Sequence, residues 1–202
     1  MEDPKTMLQE AGVLQSDGHF VGTNGEHLSD YLDFDLIYKP QNEDLKKKLL
    51  EDLVQKIQPT GAEVITGPAE GGNLLSSSLT PYLPQAIAVE SKKFNGSFAY
   101  EAEGLEKLRG KKIVIVDDVF RTGHSLRKLS TVLKTHDIQP IAFAVILNRH
   151  LSSIEILDGI PILSALRFPL SSWDETSCPL CLKNIPVNTA FGHGQEFLAR
   201  GK

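Results

Sequence analysis

The spacing of apolar positions changes character along this chain. Leu45, Leu49, Leu53 and Ile57 recur every four residues, with Lys46, Lys47, Lys48 and Asp52 on the other faces, and Pro59 and Gly61 follow. That repeat predicts an amphipathic helix closed by its breakers. Further on, the apolar runs become short and uninterrupted, at Glu63–Thr66, Ala86–Glu90, Lys112–Val116 and Ile141–Leu147. Helical segments are expected at about Gly72–Leu79 and Ser125–Thr135. Short continuous apolar strands that alternate with helices predict an α/β fold with a mostly parallel central sheet flanked by helices. Ligands of such sheets sit beyond the C-terminal strand ends, which directs attention to the residues after Thr66, Val116 and Leu147.

The flanks are less regular. Met7–Val13 reads as a short helix, and His19–Gly22 and Tyr31–Tyr38 read as strands around a turn-rich segment at 23–27. The polar excursion Ser91–Gly110 carries only Phe98, Ala99 and Tyr100 as a strand signal, the pattern of a hairpin, lid or binding loop. From Pro161 onward the chain is rich in Pro and Ser and weakly periodic. One domain over 1–202 is expected, with a core at about 42–150 and a small hood built from about 1–41 and 160–202.

Composition narrows the class. With 202 residues and 41% apolar content, the chain is long enough for one sizeable core. The formal charge of −5 and the absence of a basic tract disfavour nucleic-acid binding through the surface. The N-terminus lacks a signal-peptide layout, and no apolar run is long enough to span a bilayer, so a cytoplasmic protein is expected. Two cysteines, Cys178 and Cys181, give no disulfide framework.

Two segments carry chemistry. Ile113–Ser125 runs four apolar residues into Asp117 and Asp118, then through Arg121, Thr122, Gly123 and His124 to Ser125 and a helix. Two carboxylates at a strand end, followed by free amides at a helix N-terminus, make a phosphate cradle. The plainer alternative is a helix cap supplied by Asp118 or Ser125. Gly67-Pro68-Ala69-Glu70-Gly71-Gly72 likewise follows a strand and opens a helix, with glycines that let backbone approach a ligand. Alone, such a loop is most often a simple turn.

The first segment resembles the phosphoribosyl pyrophosphate (PRPP) signature of type I phosphoribosyltransferases, and the second resembles that family's pyrophosphate loop. Arg121 and His124 depart from the usual Thr and Gly, and His124 is expected to take a left-handed turn position. The segment from His19 to His27, with Tyr31 and Asp35, is similar to the N-terminal segment of orotate phosphoribosyltransferases. Trp173, Cys178-Pro-Leu-Cys181, Pro186–Thr189 and Gly192–Phe197 resemble the tail of one subgroup.

The resemblance implies an enzyme that joins PRPP to orotate with Mg²⁺ carried by PRPP. Asp117 and Asp118 would meet the ribose, Arg121 to Ser125 the 5′-phosphate, and Gly67 to Gly72 the pyrophosphate. Lys93 would act from a mobile loop, and Arg149 and Thr23 would hold the base. It also implies a homodimer with shared sites. Two alternatives stay open, a transferase for another base and a non-catalytic PRPP-binding regulator. An Arg after a strand is otherwise a surface ion-pair partner, and a loop lysine a solvated charge. Glu101 replaces the subgroup's Arg, so its charge is expected to weaken PRPP binding. Finally, Cys178 and Cys181 with His193 give three ligands where structural zinc takes four, which favours a packing role for the pair. The other histidines form no spaced ligand set.

Overall fold

The four-residue apolar repeat closes into α1, Glu43–Ile57, with Leu49, Leu50, Leu53 and Ile57 buried. Acidic Glu43 and Asp44 sit in its first turn and Lys56 in its last, each at the end where the helix dipole favours it. In this computed structural model, which describes residues 3–152 and 154–200, the chain divides into two compact units. One comprises Lys46–Arg167, and the other the residues up to Leu45 together with those from Phe168.

The unit Lys46–Arg167 is the expected α/β layer structure. Its strands are β1 Val64–Thr66, β2 Ile87–Ala88, β3 Lys92–Phe94, β4 Ser97–Ala99, β5 Ile113–Phe120, β6 Pro140–Asn148, β7 Ile156–Leu157 and β8 Ile160–Arg167. The main sheet has the order β7-β8-β6-β5-β1-β2. All its pairings are parallel except β7 with β8. Helices α2 Gly71–Leu79, α3 Ala102–Leu108 and α4 His124–Lys134 connect the strands. Ile113 and Ile115 of β5 share a buried cluster with Phe143 and Val145 of β6 and Leu126, Leu129 and Leu133 of α4. The intervening Val114 and Val116 turn to the opposite face, as strand alternation requires, and are fully buried too. Burial on both faces explains why the central strands are continuously apolar.

Several expectations need correction. Ile160–Arg167, assigned to the hood, is an eight-residue strand of the core sheet, paired parallel with β6. Strand β5 does not stop at Val116 but runs through both aspartates to Phe120. The excursion after Ser91 contains the hairpin β3–β4 and also helix α3. The hairpin turns on Asn95 and Gly96, both at positive φ, which suits a two-residue turn of the mirror-image type.

In the other unit, a short helix spans Pro4–Glu10, capped by Asp3, whose side chain accepts from the Thr6 amide. Three two-residue strands pair as Ser172–Trp173, His27–Leu28 and Phe20–Val21. Only Tyr31–Leu32 of the expected second strand is extended, and Phe34–Tyr38 forms a 3-10 helix. Asn42 donates to the carbonyls of Ala11 and Leu36, tying these turns together.

Candidate active site

The C-terminal ends of β1, β5 and β6 bring together most of the residues singled out in the sequence. Asp117 is paired in register with Val145 of β6, so the acids belong to the strand and are not a loose end. Asp117 Oδ1 accepts from the Asp118 amide at 3.1 Å, and Asp118 Oδ1 accepts from the Val119 amide at 2.7 Å. Burial pushes the Asp117 carboxyl well above the ordinary carboxylate range, and the adjacent Asp118 pushes it further. Such a pair is relieved by a cation or by hydroxyl donors.

Beyond Phe120 the chain turns at Gly123, which takes the left-handed conformation at φ 75° and is the N-cap residue of α4. A Cβ there would lie 2.6 Å from Leu157 Cδ2 and 2.7 Å from Phe120 Cε2, so only glycine fits. This corrects two expectations. His124 is the first helical residue and needs no left-handed geometry, and neither Asp118 nor Ser125 caps the helix. The first intrahelical bond runs from the Arg127 amide to the Gly123 carbonyl at 2.8 Å, leaving the preceding amides without a helical acceptor. Asp117, Arg121, Thr122, Gly123, His124 and Ser125 line a cavity of about 250 Å³ in front of them. Arg127 also donates to the Thr122 carbonyl and pairs with Asp158, which braces the loop from behind.

The second loop lies against the first. A Cβ on Gly67 would meet the Val116 carbonyl oxygen at 2.4 Å, and one on Gly71 would lie 3.6 Å from Asp118 Oδ2. Backbone of 67–72 thus packs on the end of β5 beside the acid pair. Two residues missed in the sequence hold it there. Ser91 Oγ donates to the Gly67 carbonyl at 2.7 Å, while the Asn73 side chain donates to the Ser91 carbonyl and accepts from the Ser91 amide. The available signal was a polar residue directly after a strand, at Ser91, and one in the first turn of the next helix, at Asn73.

Arg149 follows β6 at the same sheet end, its amide donating to the Phe120 carbonyl at 2.9 Å. It is buried, unlike a surface ion-pair partner. Lys93 sits on β3 opposite Phe98, exposed, in a cleft formed by its own hairpin. It is not among the residues that line the cavity at Asp117. Glu101 pairs with Lys92, so its charge is matched within the hairpin region instead of facing a phosphate site alone. Thr23 belongs to the other unit, in the turn between Phe20–Val21 and His27–Leu28.

Comparison with known proteins agrees with this geometry. Residues 35–163 match the model for the phosphoribosyl transferase domain. A protein of Thermotoga maritima named orotate phosphoribosyltransferase is 29% identical over 198 residues, covering 94% of this chain and 98% of its own. A Caldicellulosiruptor bescii protein of the same name is 28% identical, covering 90% and 92%. The crystal structure of orotate phosphoribosyltransferase from Aeropyrum pernix superposes with a TM-score of 0.64 at 23% identity, covering 81% of this chain and 92% of that one.

Proposed function

The chain belongs to the phosphoribosyl transferase family, and on that premise we propose that it is an orotate phosphoribosyltransferase, converting PRPP and orotate to orotidine 5′-phosphate and pyrophosphate. The observation that carries this reading is likeness over 94% of the chain to relatives bearing that name. In the reaction, the bond from ribose C1 to the pyrophosphate oxygen breaks and a bond from C1 to a pyrimidine nitrogen forms. The ribosyl centre is oxocarbenium-like on the way, so the protein's work is positioning and management of charge.

Each part of the site suits one part of that work. The amides at the start of α4, with Thr122 and Ser125, hold the 5′-phosphate. Asp117 and Asp118 fix the ribose hydroxyls, and the backbone of Gly67–Gly72 cradles the pyrophosphate. Arg149 faces the demand for a carboxylate partner, since its planar fork binds carboxylates through two parallel hydrogen bonds.

Magnesium fits the donors. The acid pair offers hard carboxylate oxygens, and the crowding that raises Asp117 is what a nearby cation relieves. Asp117 and Asp118 would hold Mg²⁺ with PRPP, and the ion would supply neutralising charge to the departing pyrophosphate. We read the active form as a homodimer in which Lys93 serves the neighbouring subunit. Support comes from the hairpin, whose Phe94 is 64% exposed while Lys93 stays outside the cavity at Asp117. Within the described residues, no helix is long and apolar enough to cross a membrane.

The test is incubation with PRPP, Mg²⁺ and a panel of bases, following pyrophosphate release and nucleotide product. Orotidine 5′-phosphate as the main product is expected. Another nucleotide would reassign the base, and PRPP binding without product would make the protein a regulator.

A further inference from the structure

We propose that His19, His27, Cys178 and Cys181 form a structural zinc site, a feature independent of the transferase reading. Their ligand atoms all lie within 4.8 Å of one another, and three of the four residues are buried. His19 Nε2 lies 3.7 Å from both sulfurs, and His27 Nδ1 lies 3.3 Å from Cys181 Sγ. Tetrahedral zinc, with bonds of about 2.0 Å to nitrogen and about 2.3 Å to sulfur, spaces nitrogen and sulfur about 3.5 Å apart. The two nitrogens are 2.7 Å apart and open slightly around an ion. Both cysteines are free thiols.

Proton placement strengthens the case. His19 Nδ1 lies 2.7 Å from the Ile185 carbonyl, an acceptor, so Nδ1 carries the proton and Nε2 presents a lone pair to the cluster. Fixing a histidine in this way is how metal sites orient their ligands. If no metal binds, His27 Nδ1 must donate to His19 Nε2. Its own Nε2, buried and without a hydrogen bond, is then a stranded acceptor. With zinc bound through Nδ1, both lone pairs that face the cluster are used in ligation, while the buried His27 Nε2 carries the proton and is unpartnered with or without the metal. Binding releases the two thiol protons to solvent as the thiolates ligate.

The connectivity shows what the metal does. His19 immediately precedes strand Phe20–Val21, and His27 opens the paired strand His27–Leu28. Cys178 precedes the helical turn Pro179–Leu182, and Cys181 lies within it. The ion therefore staples the hairpin bearing Thr23 to a segment about 150 residues later, in a unit whose strands are only two residues long. Small units with so little regular structure commonly rely on such staples. His193, the third ligand suggested by the sequence, is half-exposed beside Glu196 and lies outside the cluster.

The experiment is metal analysis of the purified full chain together with expression in cobalt medium. About one zinc per chain is expected, with the visible bands of tetrahedral cobalt and thiolate charge transfer in the cobalt form. Cys181→Ala and His27→Ala should lose the metal, whereas His193→Ala should keep it. In wild type, a chelator should lower the melting temperature and expose two titratable thiols that were protected before. Should the ligand variants fail to fold, the wild-type stoichiometry and cobalt spectrum decide alone. A reduced, folded wild-type chain that takes up neither metal overturns the proposal. So does a Cys178–Cys181 disulfide in protein purified without reductant, or equal metal content in His193→Ala, Cys181→Ala and wild type.

Discussion

Replacing Gly123 by alanine tests the phosphate loop where it is most constrained. Two costs add. The left-handed backbone at φ 75° costs an L-residue ~1–2 kcal/mol. The new methyl would then stand 2.6 Å from Leu157 and 2.7 Å from Phe120, and both of these are buried with no room to retreat. Overpacking of that kind costs ~1–3 kcal/mol. The sum is a loss of ~2–5 kcal/mol in urea unfolding, together with weaker PRPP binding, because relief of the clash must shift the amides at 123–125. Gly159 supplies the control. It has φ 81° and nothing within 4 Å of the place a Cβ would take, so Gly159→Ala should show the backbone cost alone, ~1–2 kcal/mol, and normal PRPP affinity. Paired unfolding curves and calorimetry with PRPP measure both. Equal losses in the two variants, with PRPP affinity unchanged in both, would refute the packing described for Gly123.

Asp117→Asn should raise the melting temperature of the ligand-free protein at neutral pH. A carboxyl held above its ordinary value contributes stability that is complete below about pH 4 and is lost as pH rises through the raised native value. The variant should therefore lack this decline, and a pH series of melting curves that matches wild type would argue against it. Asn at both Asp117 and Asp118 should leave the fold intact and lower PRPP affinity by orders of magnitude, so retained affinity in calorimetry would remove the ribose role. Arg149→Ala should cost orotate binding ~2–4 kcal/mol with little change for PRPP, and equal losses for both would make Arg149 structural. Glu101→Arg should leave the PRPP Michaelis constant unchanged at low and high salt, since Glu101 is already matched by Lys92; improved affinity at low salt would restore the view that its charge opposes PRPP. Mixing Lys93→Ala chains with Asp118→Asn chains should recover part of the activity if the sites are shared, and no recovery despite subunit exchange would make each site self-contained.

What was legible in the sequence was local. The acid pair, the loop and the start of α4 are contiguous, so their geometry follows from one strand–turn–helix pattern. The same holds for Gly67–Gly72 after β1. What escaped notice is set by distant partners. Strand β8 hides behind Pro161 and Ser164, although Ile162, Ser164 and Leu166 alternate inward once β6 is beside them. The Ser91–Asn73 bridge joins two polar residues that look like ordinary loop and helix surface. The His19–His27–Cys178–Cys181 cluster escaped a ligand search by spacing, because spacing rules see one segment and this cluster uses both ends of the chain.

The division of the chain into a contiguous unit and a discontinuous one sets an order of events during synthesis. Lys46–Arg167 emerges from the ribosome as one uninterrupted stretch and needs no strand from a later residue to complete its sheet. The N-terminal segment emerges first yet is completed last, since Ser172–Trp173 pairs with His27–Leu28 only after those residues clear the exit tunnel. Until then His27 and Leu28 present an unpaired strand edge to solvent or to a chaperone. A chain cut short ahead of residue 172 would therefore keep every strand of the main sheet and lose the partner of His27–Leu28.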